Sequence, residues 1–393
     1  MHEAFGYIGG ISNSSGLVIF AAGILLGFLL HRSDYCMAGM FRDIFLFKDS
    51  PLLRVFLIQV FVTMFLFYLG RASGLLELYP PPNLREASFI TLAGGFIFGS
   101  GMVLAGGCVM GSLYKMGAGN VGSLFAFTGL IIGSGLYAEV YPLFFNLHKD
   151  TIIVKDVLLG QVFSNGEDIL FIFLMVLLSL VILGWIKKGR IYQKAYAEGY
   201  IQPWVTAVLL SFINLLIYVT SQTPMAISTA YAKLAAYTEK LFVPAHYTNL
   251  EFFRRLSYSV YSSKGNLIEG GPGAQIDHIF VVEISLLMGI VFGSFISALS
   301  LREFRILKKL PPLAQLISAF AGGLLLGFSS RMAGGCNVKF LMSGLPMLSI
   351  QAMVFLLGLV PGSYLGTILF KRFVIGDKVT VTVNSPPTGG KDE

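Results

Sequence analysis

Apolar runs of about twenty residues recur from one end of this sequence to the other, and each is long enough to cross roughly 30 Å of hydrocarbon. Only 12% of the residues are charged, where soluble domains carry about a quarter. With mean hydropathy of +0.75, the chain reads as an all-α polytopic membrane protein, not as a soluble body on one anchor. The pattern predicts spans at Gly16–Leu30, Arg54–Gly70, Phe89–Ala105, Val121–Pro142, Asp168–Ile186, Pro203–Thr220, Ile276–Ser300, Pro312–Met332 and Ile350–Phe370, about nine in all. The first fifteen residues lack a basic n-region and an A-x-A site, so the first span is expected to be retained and not cleaved as a signal peptide. The net charge of +7 sits in loops between apolar segments, where it reads as a topology determinant and not as a nucleic-acid surface.

Basic loops at 32–54, 187–194, 302–309 and 371–372, all placed inside, put the N-terminus outside and the C-terminus inside. The polar stretch 221–275 is then an external loop, expected to carry at most a short amphipathic helix. Residues 376–393 form a polar, Pro/Gly-rich tail.

One sentence is written twice in this chain. Residues 93–108 read AGGFIFGSGMVLAGGC and residues 321–336 read AGGLLLGFSSRMAGGC, 228 positions apart with eight of sixteen identical. In each, Gly-Gly-Cys follows an apolar helix. A break inside a membrane is tolerated only where protein or a water-lined cavity shelters the freed peptide groups, and paired breaks in two halves point to a transport site between internal repeats. The assumed topology runs the two copies in opposite directions. The expected architecture is therefore an inverted repeat: one transmembrane transport domain over 1–375, with repeat one at about 16–145, a linking helix at 168–186 and repeat two at about 203–370. A weak match of the stretch from Leu287 to that from Leu25 points both the same way and disagrees with this register.

The three cysteines, Cys36, Cys108 and Cys336, are too few and too odd in number for a disulfide framework, and no Cys/His spacing suits a structural metal. A lone buried cysteine is ordinarily a small hydrophobe; two that end the same repeated break are better read as working thiols. Their neighbours are mostly cationic or polar: Arg32 before Cys36, Arg331 two residues before the second break, Asn337 after it. A charge such as Arg331 in a spanning helix is costly unless it is paired or lines a cavity. The expected path residues are the three cysteines, Gly106, Gly107, Gly334, Gly335, Arg32, Arg331 and Asn337. GxxxG spacings at Gly95–Gly99, Gly289–Gly293 and Gly323–Gly327 are expected to report close helix packing.

The segments HRSDYCMAGMFRD, GGFIFGSGMVLAGGCVMGSLY and GGLLLGFSSRMAGGCNVKFLMSGLP resemble the three cysteine motifs of the YeeE/YedE family of bacterial inner-membrane sulfur transporters. The resemblance implies thiosulfate uptake, with Cys36, Cys108 and Cys336 passing the anion inward by S–H contacts. It also implies a branch associated with selenium compounds and a small cytoplasmic sulfur-carrier partner of the TusA type. The physics fits a relay: a dianion stripped of water needs successive donors, each strong enough to admit it and weak enough to release it. Neutral thiols do this; a thiolate would repel the anion. No cofactor is expected, and no P-loop for ATP is present. Two other classes compete. A membrane thiol oxidoreductase is disfavoured by the lack of CxxC, and a soft-metal transporter by the cationic surroundings.

Overall fold

The computed structural model describes residues 7–8, 11–48, 51–162, 167–192, 198–262, 265, 267–304 and 311–375; the expected tail at 376–393 lies outside them. Among the described residues, nine helical segments are long and apolar enough to cross a membrane. In chain order the helices are α1 (Asn13–Ser33), α2 (Met37–Phe47), α3 (Pro51–Ala72), α4 (Phe89–Leu104), α5 (Val109–Gly117), α6 (Val121–Asp150) and the short α7 (Leu159–Val162). There follow α8 (Glu167–Lys187), α9 (Pro203–Ser221), α10 (Ser228–Phe242), α11 (Pro244–Asn249), α12 (Glu251–Arg254), α13 (Ser285–Ser300), α14 (Leu313–Met332) and α15 (Ile350–Phe370). The predicted spans are all present. α6 runs past Pro142 to Asp150, because a rim of Tyr137, Tyr141, Phe144 and Phe145 packs that last stretch against Phe252 and Phe328.

Glycine decides which helices meet. A Cβ at Gly95 or Gly99 of α4 would run into the carbonyl oxygens of Phe355 and Leu359 of α15, and one at Gly358 or Gly362 into those of Leu92 and Phe96. The same reciprocal seam joins α14 to α6, through Gly323 and Gly327 against Gly129 and Gly133, and joins α1 to α13, through Gly23 and Gly27 against Gly289 and Gly293. Lipid gives such helices no hydrophobic reason to associate, so backbone approach through small residues does it. The likeness between the stretches from Leu25 and Leu287 has this origin: both offer a small-residue strip, each to the other. α3 pairs with α9 through polar contacts instead, with Thr63 donating to Ser211 at 2.9 Å and Phe67 edge-on to Tyr218. α8 stays peripheral, with Ile169, Phe173 and Leu180 exposed on its outer side.

The stretch 221–275, read from sequence as an external loop, sends α10 into the core. Ala230, Tyr231, Ala232, Ala235 and Ala236 are buried, and Tyr231 donates to the carbonyl of Val109 at 3.0 Å. α10 is held by Lys233, which is fully buried and pairs with Asp277 at 2.9 Å while donating to the carbonyls of Gly273 and Gln275. Only α11, α12 and the antiparallel strands Tyr258–Tyr261 and Leu267–Gly270 form the cap itself.

Candidate functional site

Each cysteine follows a place where the backbone stops being helical. α4 ends as the Gly106 N–H bonds back to Val103 O and Gly106 turns to φ +67°; Cys108 then caps α5, its Sγ accepting from the Gly111 N–H at 3.2 Å. α14 ends the same way, with Gly334 at φ +79°, ahead of Cys336 and a π-helical stretch, Val338–Gly344. Only glycine takes this left-handed conformation without strain. Each turn frees a carbonyl, and a lysine meets it: Lys115 Nζ donates to Gly106 O at 2.8 Å, Lys339 Nζ to Gly334 O at 2.6 Å. The third break lies between α1 and α2, where Asp34 sits at φ +47° and Cys36 precedes the first turn of α2. All three thiols therefore stand at helical N-termini, whose free N–H groups favour negative charge.

The three thiols come together in the core. Cys36, Cys108 and Cys336 are all buried, and the Sγ atoms of Cys36 and Cys108 each lie 3.4 Å from where a Cβ on Gly111 would stand, so the two share one glycine-lined space. Asn337 spans from the second break to the first two cysteines, donating to Met37 Sδ at 3.1 Å and reaching the Cys108 thiol. Asn337 Oδ1 and Ser112 Oγ are buried without a partner among the described residues, two polar atoms beside the thiols for a guest to engage. Tyr35, Tyr114 and Tyr231 wall the group, tied to Gln59, Asp34 and the Val109 carbonyl.

Cavities approach the thiols from both faces. The one under the cap is lined by Arg85, Arg255, Arg331, Gly334 and Lys339, with Glu283 as its only carboxylate among the described residues. Arg331 donates to Ser228 and Thr229, and Ser228 in turn touches the Cys336 thiol. Arg255 donates to the Tyr141 hydroxyl and lies 5.1 Å over the rings of Tyr141 and Phe145. Among the described residues, no carboxylate comes within 4.0 Å of any of these four cations. Burial, and then the nearby Arg255 charge, push the pKa of Arg85 down to about 10, so it stays cationic at neutral pH in a setting that disfavours the charge. On the opposite face a cavity lined by Asp34, Cys36, Arg42, Gly106 and Lys115 opens beside the first break.

The family profile described as "Sulphur transport" matches residues 32–365. The chain belongs to that family. It is 28% identical over 360 residues to the thiosulfate transporter TsuA of Spirochaeta thermophila, a match covering 91% of this chain and 99% of that protein. It is 27% identical over 359 residues to TsuA of Escherichia coli, covering 88% and 90%. A shorter stretch of 168 residues is 28% identical to the probable transporter YedE of Escherichia coli. Membership of that family, together with nine apolar helical segments among the described residues, makes this a multi-pass membrane protein of the sulfur-transport family.

Of the residues singled out from sequence, the structure brings the three cysteines and Asn337 together, with Arg331 and Gly334 at the cavity under the cap and Gly106 at the opposite one. Arg32 it puts elsewhere: its guanidinium donates to Ser300 and to the Gly199 carbonyl, both at 2.7 Å, pinning α1 to α13 away from the thiols. Only three residues in sequence separate Arg32 from Cys36, but the turn at Asp34 sends them apart. Sequence reasoning missed Arg85 and Arg255, which look like ordinary loop charges, and Ser112. A group formed by Glu139, Glu239 and His246 has its ligand atoms within 4.8 Å of one another. It stands apart from the thiols, and each His246 nitrogen faces a different carboxylate at 3.5 and 3.7 Å, the arrangement of an ion pair.

Proposed function

We propose that this protein imports thiosulfate across a bacterial inner membrane through a route lined by Cys336, Cys108 and Cys36 in that order. The observation that carries the reading is the three buried thiols between a cationic cavity under the cap and a second cavity beside Cys36. Thiosulfate has an anionic sulfonate end for the arginines and a soft terminal sulfur for the thiols. The unpaired cations draw it in by charge. Each S–H then gives a weak, polarizable donor contact that is made and broken with little cost either way. The cap faces outside, with the N-terminus outside and the C-terminus in the cytoplasm, as the basic loops require. A TusA-type sulfur carrier is the proposed acceptor at the inner face.

The reading includes an inverted repeat in which α1–α6 correspond to α9, α10, α13, α14, the π-helical stretch and α15. The pairing of α4 with α15 and of α6 with α14 supports it, since each exchanges for the other under a two-fold axis. So does one local geometry: Ser33 and Ser221 each donate to the carbonyl four residues back and accept from the N–H two residues on, and Asp34 and Gln222, which follow them, have φ +47° and +58°. Proteoliposomes holding the purified protein and offered labelled thiosulfate, sulfate or selenite test the function. Uptake of thiosulfate in preference to sulfate is expected, and no saturable thiosulfate uptake would overturn it.

A further inference from the structure

One group beside this route has no part in the relay. Glu283 is 5% exposed, and it sits in a π-helical turn, Phe280–Ile284, that opens a membrane span. Such turns inside helices recur at functional sites. Its Oε2 accepts from the Ala230 N–H at 2.9 Å, with Thr229 also directed at the carboxylate, so it rests on the first turn of α10. Among the described residues, no cation stands within 4.0 Å of it.

The charged and titratable groups that face it are Arg331 from α14, Cys336 and Lys339 beyond the second break, Lys233 from α10, and Tyr258 from the cap. Lys233 already has Asp277, and Tyr258 is bonded to His278 at 2.8 Å. Glu283 and an incoming anion thus have Arg331 and Lys339 in common. A dianion that reaches those two cations comes close to the Glu283 carboxylate, and like charges sharing a site favour protonation of one of them. The dianion faces two further obstacles. The desolvation cost of the dry constriction grows with the square of the charge, and two negative charges must enter a compartment that is negative inside. Thiols that only hand the anion on supply nothing against either.

Resting on the reading of this chain as a thiosulfate importer, we propose that Glu283 is a proton-loading carboxyl that couples uptake to protons. As the dianion docks on Arg331 and Lys339, the Glu283 carboxylate takes a proton from hydronium of the outside solution through the cap cavity, leaving water. As the dianion leaves the two cations for the dry constriction, where desolvation favours its protonated form, the O–H bond at Glu283 breaks and the proton passes to the anion, which goes between the thiols carrying one net negative charge. Glu283, again a carboxylate, faces Arg331 once more. On the opposite face the proton leaves the anion for water or for the Asp34 carboxylate, which lines the cavity beside Cys36. No electrons are exchanged; one proton and one dianion arrive together.

The test uses the full chain in proteoliposomes with the membrane potential clamped to zero by potassium and valinomycin, a pH dye inside, and labelled thiosulfate outside. Thiosulfate is expected to acidify the interior, and an inward proton gradient to drive it above its equilibrium level. Glu283→Gln is expected to lose the gradient-driven accumulation and the acidification for each thiosulfate carried, and Glu283→Asp to regain part of both. Wild-type uptake without acidification would overturn the proposal even if Glu283→Gln failed to fold, as would an unchanged proton-to-thiosulfate ratio in that variant. Absence of thiosulfate exchange in the wild type under any gradient would overturn the uptake reading, and this proposal with it.

Discussion

Arg85→Gln separates holding the fold from catching the anion. The pKa of Arg85 falls from 12.5 to about 10, through burial first and the Arg255 charge second. A base whose folded pKa lies below its unfolded value destabilises the fold at every pH under the folded pKa, so at neutral pH the full penalty applies. The fall corresponds to about 3 kcal/mol, and because the side chain is partly exposed to cavity water we discount it to about 1–3 kcal/mol. Glutamine removes that penalty. It also removes the charged donor to the Ser257 carbonyl, a 2.6 Å bond of a kind worth about 1.5–3 kcal/mol. The two nearly cancel, and the melting temperature is expected to move by a few degrees at most. Anion capture has no such compensation: one guanidinium about 5 Å from a dianion contributes about 1.5 kcal/mol even at the dielectric of water, and more at a buried site. The KM for thiosulfate should rise about tenfold or more, with a weaker dependence on ionic strength. Uptake kinetics and thermal unfolding of the same detergent-purified sample, with and without thiosulfate, measure both. A variant destabilised by about 3 kcal/mol with an unchanged KM would refute the reasoning and make Arg85 a residue of the cap.

Serine at Cys36, Cys108 or Cys336 keeps a small donor but loses the polarizable sulfur, and uptake normalised to folded protein should fall strongly in each. If the cysteines only pack, each change costs about 1–3 kcal/mol of stability and leaves turnover per molecule intact. Gly335→Leu is expected to abolish uptake, because even a Cβ there would stand 2.6 Å from Lys339 Cδ and 3.0 Å from the Phe340 ring, while Gly184→Leu on the peripheral α8, with nothing within 4 Å, should leave uptake unchanged. His278 accepts from Tyr258 and donates to the Ser221 carbonyl, and burial pushes its pKa down to about 4 from 6.5. Its neutral form is therefore favourable above about pH 6.5, and about 3 kcal/mol is lost as the pH falls toward 4. Melting curves between those values should flatten in His278→Gln, and an unchanged slope would remove this histidine from the account.

The spans and both Gly-Gly-Cys breaks were legible because a bilayer imposes a length and a polarity on every crossing segment, and because a left-handed turn after a helix calls for glycine. α10 escaped that reading for the same reason in reverse. Buried among other helices and never facing lipid, Ser228–Phe242 has no need to be strongly apolar, and its Ala, Ser and Thr content looks like a polar loop. The register of the proposed repeat was hidden too. At its clearest point, Ser33–Asp34–Tyr35 against Ser221–Gln222–Thr223, the two copies share one serine and a backbone shape, and shape leaves little trace in residue identity.

Taken alone, the sequence determined that this chain crosses a membrane many times and that it breaks twice at thiols, because hydropathy and motif spacing are local properties; sulfur transport was what the resemblance of its three cysteine motifs implied. The tertiary structure alone decided that Arg85, Arg255, Arg331 and Lys339 surround one cavity together with Glu283, and that Arg32 does not join them. Charge is felt through space and not along the chain, so the field that meets an anion exists only once distant segments have folded together.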